Sequence, residues 1–257
     1  MGAVMNIAFV SSILLCSSRY HEGLLKKYDL IKLRTDYWSA LDFFLGRACF
    51  QGRRDDMSER VYEAMVEVLS PIFCDKKLTC VYESKTRETI ESTLRDQIRK
   101  KKVGKGRDVD MVLSALDFIN HLPSLNIVSY SVERIQNGEI EKHYNELQRS
   151  QNPKGIIQVG PKIASFYLRD VVSLYDLEDK VSEDFAFCLQ PIDVWVRKLA
   201  HKIGMVGSGA TAEEIAQAIV SLCKEQKCSP VQFNQGAWYI GHFAFDLLLE
   251  MLTESQL

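Results

Sequence analysis

Apolar residues recur at intervals of three and four positions along most of this 257-residue chain. The clearest series follows Asp108 and consists of Val109, Val112, Leu113, Leu116 and Ile119. Such spacing puts the apolar side chains on one face of an α-helix, whereas a half-buried strand would alternate apolar and polar residues. Alternating stretches are nearly absent, so the sequence predicts an all-α fold.

Polar residues mark where several helices begin. Ser58 and Thr86 are predicted N-caps of two helices in the first half of the chain, because hydroxyl side chains accept hydrogen bonds from first-turn amides. Thr211 and Glu214 match the pattern of a capping box before another helix. A long final helix is predicted over 230–252, beginning at a proline.

Residues 6–16 form an apolar run near the start of the chain. No Lys or Arg precedes this run, although a signal peptide would need one, and the run is too short to span a bilayer. We therefore expect a buried core helix in a soluble intracellular protein of the cytoplasm or nucleoid, with no membrane partner.

The charge balance alone gives little indication of a partner. The formal net charge is −2, whereas a nucleic-acid binder usually presents an electropositive face. Whole-chain charge can conceal local asymmetry, and residues 99–107 form a dense basic run, with Arg53 and Arg54 adding a second. A solvated loop between helices is the simpler interpretation of the first run.

Seven cysteines are present, an odd number, and most lie in apolar helical stretches. This usage is typical of reduced intracellular thiols. Cys223, Cys228 and His242 are spread over apolar helical faces, so we expect core positions there and predict no metal site.

Residues 155–162 read Gly-Ile-Ile-Gln-Val-Gly-Pro-Lys and predict a tight turn that opens a helix. Such a turn offers backbone N–H groups to a phosphate.

Lys162 falls in the first helical turn, where the helix dipole disfavours the ammonium form, and a neutral amine can form a Schiff base. Asp193 follows Pro191 at the start of another helix, where a carboxylate can face a developing positive charge. Together these residues indicate chemistry on a sugar–phosphate chain.

Residues 159–169 resemble the hairpin and second helix of the helix-hairpin-helix DNA glycosylases, and residues 191–193 resemble their Pro-x-Asp motif. The segment is similar to the 8-oxoguanine DNA glycosylase/lyase branches, including the archaeal type. The resemblance implies that Lys162 is the Schiff-base lysine and that Asp193 is the essential carboxylate. It is specific over about 45 residues and loose over the rest of the chain.

Two departures from the family pattern are visible. Gln158 replaces the first glycine of the usual Gly-x-Gly hairpin, and 31 positions separate Lys162 from Asp193, more than in most of the superfamily. The additional stretch, 171–189, is acidic, and we expect it to loop outward. The longer separation is similar to that of the archaeal branch.

The implied architecture consists of two helical subdomains with an active-site cleft between them. Residues 1–54 and 181–257 are expected to form one subdomain. Residues 55–180 are expected to form the other, with the helix-hairpin-helix at about 150–170. Lys162 and Asp193 would meet in the cleft.

A flipped base is read by polar groups on its edge and by flat side chains that stack on its face. Gln51, Gln235, Trp238 and Pro191 are the predicted pocket residues, and plain core packing is the alternative for the aromatic ones. Three residues of the hairpin region are the predicted phosphate contacts: Val159, Gly160 and Lys154.

The resemblance implies a bifunctional DNA glycosylase and AP lyase that acts as a monomer on damaged double-stranded DNA. The implied substrate is an oxidised purine, with 8-oxoguanine preferred. The resemblance implies no required cofactor and leaves open a monovalent cation at the hairpin. Some members of the superfamily hold an iron–sulfur cluster with four cysteines near the C-terminus, but only Cys223 and Cys228 lie beyond Asp193, so no such cluster is expected. Two alternatives remain: a non-catalytic helix-hairpin-helix DNA-binding protein, and a monofunctional glycosylase for alkylated or mismatched bases.

Overall fold

The fold is all-α, as the periodicity predicts. The computed structural model describes the backbone of residues 7–74 and 84–254. Within these ranges the one strand-like pairing is a single bridge between Gln148 and Ile156. The α-helices of the described residues are α1 (Ile7–Lys27), α2 (Leu30–Thr35), α3 (Tyr37–Ala48), α4 (Asp55–Phe73), α5 (Ser84–Lys101), α6 (Gly106–Asn120), α7 (Ile127–Gln136), α8 (Ile140–Leu147), α9 (Pro161–Leu174), α10 (Val194–Lys202), α11 (Ala212–Glu225) and α12 (Pro230–Glu254).

The chain divides into two compact units. The terminal unit comprises the described residues up to Lys27 and those from Leu168 onward. The central unit comprises the described residues of Tyr28–Tyr167. The predicted boundaries, at 54/55 and 180/181, differ from these positions. Residues 28–54 belong to the central unit because α2 and α3 pack against α7, and α3 also packs against α4.

The terminal unit is built around α12, along which α1, α10 and α11 pack. The apolar run near the start of the chain forms part of α1, and its Val10 and Ile13 are buried in the core, as predicted. The buried cluster of this unit contains Val10, Ile13, Val196, Leu199, Ala200, Ile215, Ile219, Cys223, Phe233, Ala237 and Ile240.

The central unit is a succession of packed helices in which α4 lies against α5, α5 against α6, and α7 against α8. The predicted apolar face of α6 is buried along its whole length, from Val109 to Ile119. Phe43 and Phe44 of α3 are fully buried and both make edge-on contacts with Tyr167. These aromatic contacts hold Tyr167 of α9 against α3 within the central unit.

The prediction that residues 171–189 loop outward is wrong. This stretch contains the last turn of α9 and two short 3₁₀ helices, Glu178–Lys180 and Glu183–Leu189. Leu177, Cys188 and Leu189 are buried, and the second 3₁₀ helix packs against α11 and α12. The acidic side chains are mostly exposed while the apolar ones between them anchor the segment.

Two of the predicted caps are wrong. Helix α4 begins three residues before Ser58, which is buried inside it, and α5 begins at Ser84, so Thr86 is also interior. In α4 the first turn carries two aspartates, whose charge suits the positive end of the helix. The capping box of Thr211 and Glu214 is confirmed, with hydrogen bonds of 2.6 and 3.2 Å. A helical stretch over Pro230–Glu254 is also confirmed, but it is not one continuous helix: Ala244, with φ of −151° and ψ of 35°, interrupts it with a kink.

None of the described helices is both long enough and apolar enough to cross a membrane. The cysteines of the described residues are free thiols, and Cys80 lies outside those residues.

Gly236 permits a close approach of α12 to α1. A Cβ atom at this position would collide with the carbonyl group of Ile13, which is backbone and cannot rotate away. We expect Gly236→Ala to lower the free energy of unfolding by about 1–3 kcal/mol, as overpacking does in a close-packed core. Urea unfolding followed by circular dichroism measures this change. Gly207→Ala is the control, because a Cβ there meets nothing within 4 Å. Equal stability of the two variants would contradict the close contact.

Candidate active site

The hairpin turn precedes α9 and is held by backbone contacts within the central unit. Ile156 N–H donates to the Leu147 carbonyl (2.9 Å), and Ile157 N–H donates to Ser114 Oγ (2.9 Å). Gly155 is buried against the backbone of Gln148, where a Cβ would approach the Gln148 carbonyl carbon to 2.6 Å. Glycine is therefore required at this first position of the turn.

Gln158 adopts the left-handed conformation, with φ of 62°. This backbone geometry explains why a glycine would suit the position: a side chain there costs about 1 kcal/mol. The Gln158 Nε2 atom is also buried and has no hydrogen-bond partner among the described residues. The turn therefore keeps the left-handed conformation at position 158 although glutamine is strained there.

Lys162 lies in the first turn of α9, directly after Pro161, and is half-buried. Its Nζ atom donates a hydrogen bond to the carbonyl oxygen of Phe50 (3.2 Å), in the segment between α3 and α4. Pro161 suits the first helical position because its fixed φ is helical and its missing N–H would have no partner there. The helix start thus presents one lysine amine beside its first-turn amide groups.

The segment that receives Lys162 is fixed by further contacts of the central unit. Gln51 Nε2 donates to the Ala48 carbonyl (2.5 Å), and Arg53 is paired with Asp108, which is buried. Burial raises the pKa of the neighbouring Cys49 thiol to about 12, with Asp108 adding to the effect. That thiol is protonated at neutral pH and is therefore a poor nucleophile.

Asp193 is the N-cap of α10 in the terminal unit. Its Oδ1 atom accepts hydrogen bonds from the backbone N–H groups of Trp195 and Val196, both at 2.9 Å. The carboxylate therefore lies at the positive end of the helix dipole in a defined rotamer. An N-cap role and a catalytic role are compatible, because the cap fixes where the charge is held.

A buried polar network in the terminal unit reaches the loop that precedes Asp193. Arg169 donates to Asp170 Oδ1 (2.8 Å), to Asn234 Oδ1 (2.8 Å) and to the Tyr20 hydroxyl (2.6 Å), and Tyr20 in turn donates to Asp170. Asn234 Nδ2 reaches the Pro191 carbonyl at 3.4 Å. Arg169 and Asp170 are 1% and 0% exposed. The network thus links α1, α9 and α12 to the residue two positions before Asp193.

The predicted base-reading residues Gln235 and Trp238 both lie on α12. Gln235 is 1% exposed; Ser173 Oγ approaches its Oε1 at 3.4 Å, and its Nε2 has no partner among the described residues. Trp238 is half-buried, packs edge-on against Tyr20 and stacks on His242 with an interplanar angle of 9°. Pro191 is buried, with its carbonyl bound as described.

The predicted phosphate contacts differ in exposure. Val159 is 2% exposed, so only its backbone can meet a ligand, and Gly160 is half-buried. Lys154 is exposed at the rim of a cavity of about 480 Å³ that Tyr130 and Phe118 also line. Lys154 is therefore the one of the three whose side chain is available to a phosphate.

The predicted site residues fall into two groups. Lys162, Gln51, Val159, Gly160 and Lys154 belong to the central unit. A second group belongs to the terminal unit and consists of Asp193, Pro191, Gln235 and Trp238.

Sequence reasoning missed the buried network. An Arg-Asp pair on an otherwise apolar helix, at positions 169 and 170, was the available signal, since adjacent charges are fully buried only when paired. No group of three or more potential metal ligands is assembled among the residues that the structure describes. Comparison with protein-family models, curated proteins and solved structures found no match.

The strain at Gln158 can be measured by a pair of substitutions. We expect Gln158→Val to lower the free energy of unfolding by about 1–2 kcal/mol, because a β-branched residue tolerates positive φ poorly. Gln158→Gly should leave it unchanged or raise it by less than about 1 kcal/mol, since relief of strain offsets the greater entropy of the unfolded chain.

The matched control uses Gln151, an exposed residue of the same region that is not in the left-handed conformation. At position 151 the order of stability should reverse, so that Gln151→Gly is less stable than Gln151→Val. Thermal unfolding of the four variants makes the comparison, and the same order at both positions would argue against the left-handed turn.

Proposed function

We propose that this chain is a bifunctional DNA glycosylase and AP lyase that acts on an oxidised purine in double-stranded DNA. One observation carries the proposal: a half-buried lysine occupies the first turn of the helix that follows the hairpin turn, with its amine held 3.2 Å from a backbone carbonyl. A lysine that only contacts phosphate is usually exposed. Lys154 is exposed in this way, whereas Lys162 is half-buried. The resemblance to the helix-hairpin-helix glycosylases supplies the reaction class.

In the proposed reaction the damaged nucleotide leaves the base stack and its sugar C1′ approaches Lys162. The neutral amine forms a bond to C1′ as the glycosidic bond breaks, and the base departs with the bonding electron pair and takes up a proton. Loss of the amine proton and opening of the sugar ring give a Schiff base. Removal of a C2′ proton then expels the 3′ phosphate by β-elimination.

Asp193 is assigned the electrostatic role in this scheme. As the glycosidic bond breaks, positive charge develops on the sugar, and a carboxylate near C1′ lowers the energy of that state. The two first-turn amides that bind Oδ1 keep the carboxylate in one orientation. Preorganisation of this kind avoids reorientation of the charge during the reaction.

The base is proposed to be read by Gln51, Gln235 and Trp238, with Pro191 packing beside it. The buried Nε2 of Gln235 has no partner among the described residues, and a hydrogen bond to a purine oxygen or nitrogen would satisfy this donor. The choice of 8-oxoguanine comes from the resemblance. We also propose that the enzyme acts as a monomer inside the cell. The reaction scheme uses protein side chains and requires no cofactor.

Lys162→Gln tests the nucleophile. We expect it to abolish borohydride-trapped covalent complexes and strand nicking on a panel of lesion duplexes headed by 8-oxoguanine, because an amide cannot form a Schiff base. DNA affinity should stay within about tenfold, since at most one phosphate contact is lost. Lys202→Gln, at an exposed lysine, is the control and should trap DNA normally.

A Lys162→Gln protein that still traps DNA would show that another residue is the nucleophile. Absence of trapping by the unmodified protein on every duplex, with DNA binding retained, would favour a non-catalytic helix-hairpin-helix protein. Base loss without nicking would favour a monofunctional glycosylase.

Asp193→Asn separates charge from capping. Asparagine caps a helix about as well as aspartate, so the melting temperature should be nearly unchanged, whereas excision should slow by roughly two orders of magnitude or more. Single-turnover excision of 8-oxoguanine measures the rate. Asp193→Ser, a second capping residue without charge, should behave in the same way. Full activity in a folded Asn variant would restrict Asp193 to capping.

A further inference from the structure

Exposed cations surround the turn between α5 and α6, which we call the basic turn and define as residues 99–107. The run contains six of the 32 Lys and Arg residues of the chain and none of its Asp or Glu. Five of the six are exposed: Arg99, Lys100, Lys102, Lys105 and Arg107. Positive charge is therefore concentrated here although the chain as a whole is slightly acidic.

Few carboxylates neutralise the basic turn. Arg99 pairs with Asp96 at 3.3 Å on the surface, and Lys101 pairs with Glu67 of α4. The nearby Asp110 is bound to Arg95. Among the described residues no carboxylate lies within ion-pair distance of Lys100, Lys102, Lys105 or Arg107.

Helix dipoles account for only part of this arrangement. Arg99 and Lys100 lie in the last turn of α5, where cations are favourable. Lys105 is the N-cap of α6 and Arg107 lies in its first turn, at the end where the dipole repels cations. The dipole of α6 therefore opposes the placement of these two residues, and a bound anion would relieve the repulsion.

The basic turn also has a fixed backbone. Val103 is 4% exposed, and Gly104 takes the left-handed conformation with φ of 69°. Asp108, buried and paired with Arg53, accepts a hydrogen bond from Lys105 N–H at 2.7 Å. The cations are consequently displayed on a preorganised support, which reduces the entropy lost on binding.

A shallow depression of about 300 Å³ opens on this surface. Arg99 and Lys102 line it together with Arg95 and Gly104, and no carboxylate is among its lining residues. Its volume admits a phosphate group, while the remaining cations extend beyond it along the turn. A single small anion would leave most of these cations without a partner, whereas a row of phosphates would engage several.

We propose that the basic turn is a second contact surface for the phosphate backbone of duplex DNA, separate from the hairpin. The proposal rests on the proposed function for the choice of DNA as the polyanion. The surface would hold a flanking part of the duplex without reading its sequence, because lysine and arginine contacts to phosphates carry no base information. It would raise affinity for damaged and undamaged DNA equally.

The test compares two triple variants of the full chain. One removes Lys102, Lys105 and Arg107 by substitution with Gln, and the control does the same at Lys26, Lys32 and Arg34, which are exposed cations outside the basic turn. Fluorescence anisotropy measures binding to an undamaged duplex between about 50 and 200 mM salt. We expect the basic-turn variant to reduce the slope of log K against log salt by about 2–3, since each lost phosphate contact removes about 0.9. The control should keep the slope of the unmodified protein.

The outcomes separate this inference from the proposed function. If the unmodified protein traps lesion DNA but the basic-turn variant keeps its salt slope, the inference alone is wrong. If the unmodified protein neither binds nor traps any duplex, both are wrong. Loss of sedimentation with phosphatidylserine vesicles, together with unchanged DNA binding, would assign the basic turn to a lipid surface instead.

Discussion

The buried ion pair of Arg169 and Asp170 is the interaction on which the terminal unit depends. Both side chains are almost fully removed from solvent, so each charge needs the other and the hydroxyl and amide groups around them. Breaking such a pair by removing one partner typically costs about 3–5 kcal/mol, because the remaining charge stays buried. The pair therefore strongly favours the one arrangement of α1, α9 and α12 that satisfies it.

That arrangement reaches Asp193 through the backbone. Gly236 lets α12 approach α1, and the neighbouring Asn234 accepts from Arg169 while donating to the Pro191 carbonyl. Tyr20 closes the network from α1. The position of the loop before α10 is thus coupled to a buried charge, which explains how a short Pro-x-Asp loop holds a carboxylate in a defined place.

Local signals in the sequence predicted local features of the structure well. Proline and aspartate at helix starts identified the first turn of α9 and the cap of α10, because these signals act within three or four residues. Ser58 and Thr86 do not mark helix starts, because a hydroxyl that could cap a helix is equally compatible with a helix that begins earlier. The acidic residues of 171–189 suggest an exposed loop, but the apolar residues between them anchor the stretch in the core, and charge alone does not indicate this. Asn234 and Tyr20, which also bind Arg169, lie 65 and 149 positions away from it along the chain, beyond the reach of any local pattern.

Burial of several cations explains how a chain of net charge −2 could bind the DNA that is proposed as its substrate. Arg53 and Arg169 are paired with buried carboxylates and Arg134 with Glu139 and Glu146, so these three arginines stabilise the fold and contribute little external potential. In the basic turn only Arg99 and Lys101 are paired with a carboxylate among the described residues, and the field of the other four cations extends into solvent over about a Debye length. Carboxylates spread over the rest of the surface lower the net charge without cancelling a local field at that range. For a ligand as densely charged as DNA, the distribution of unpaired cations therefore matters more than their sum.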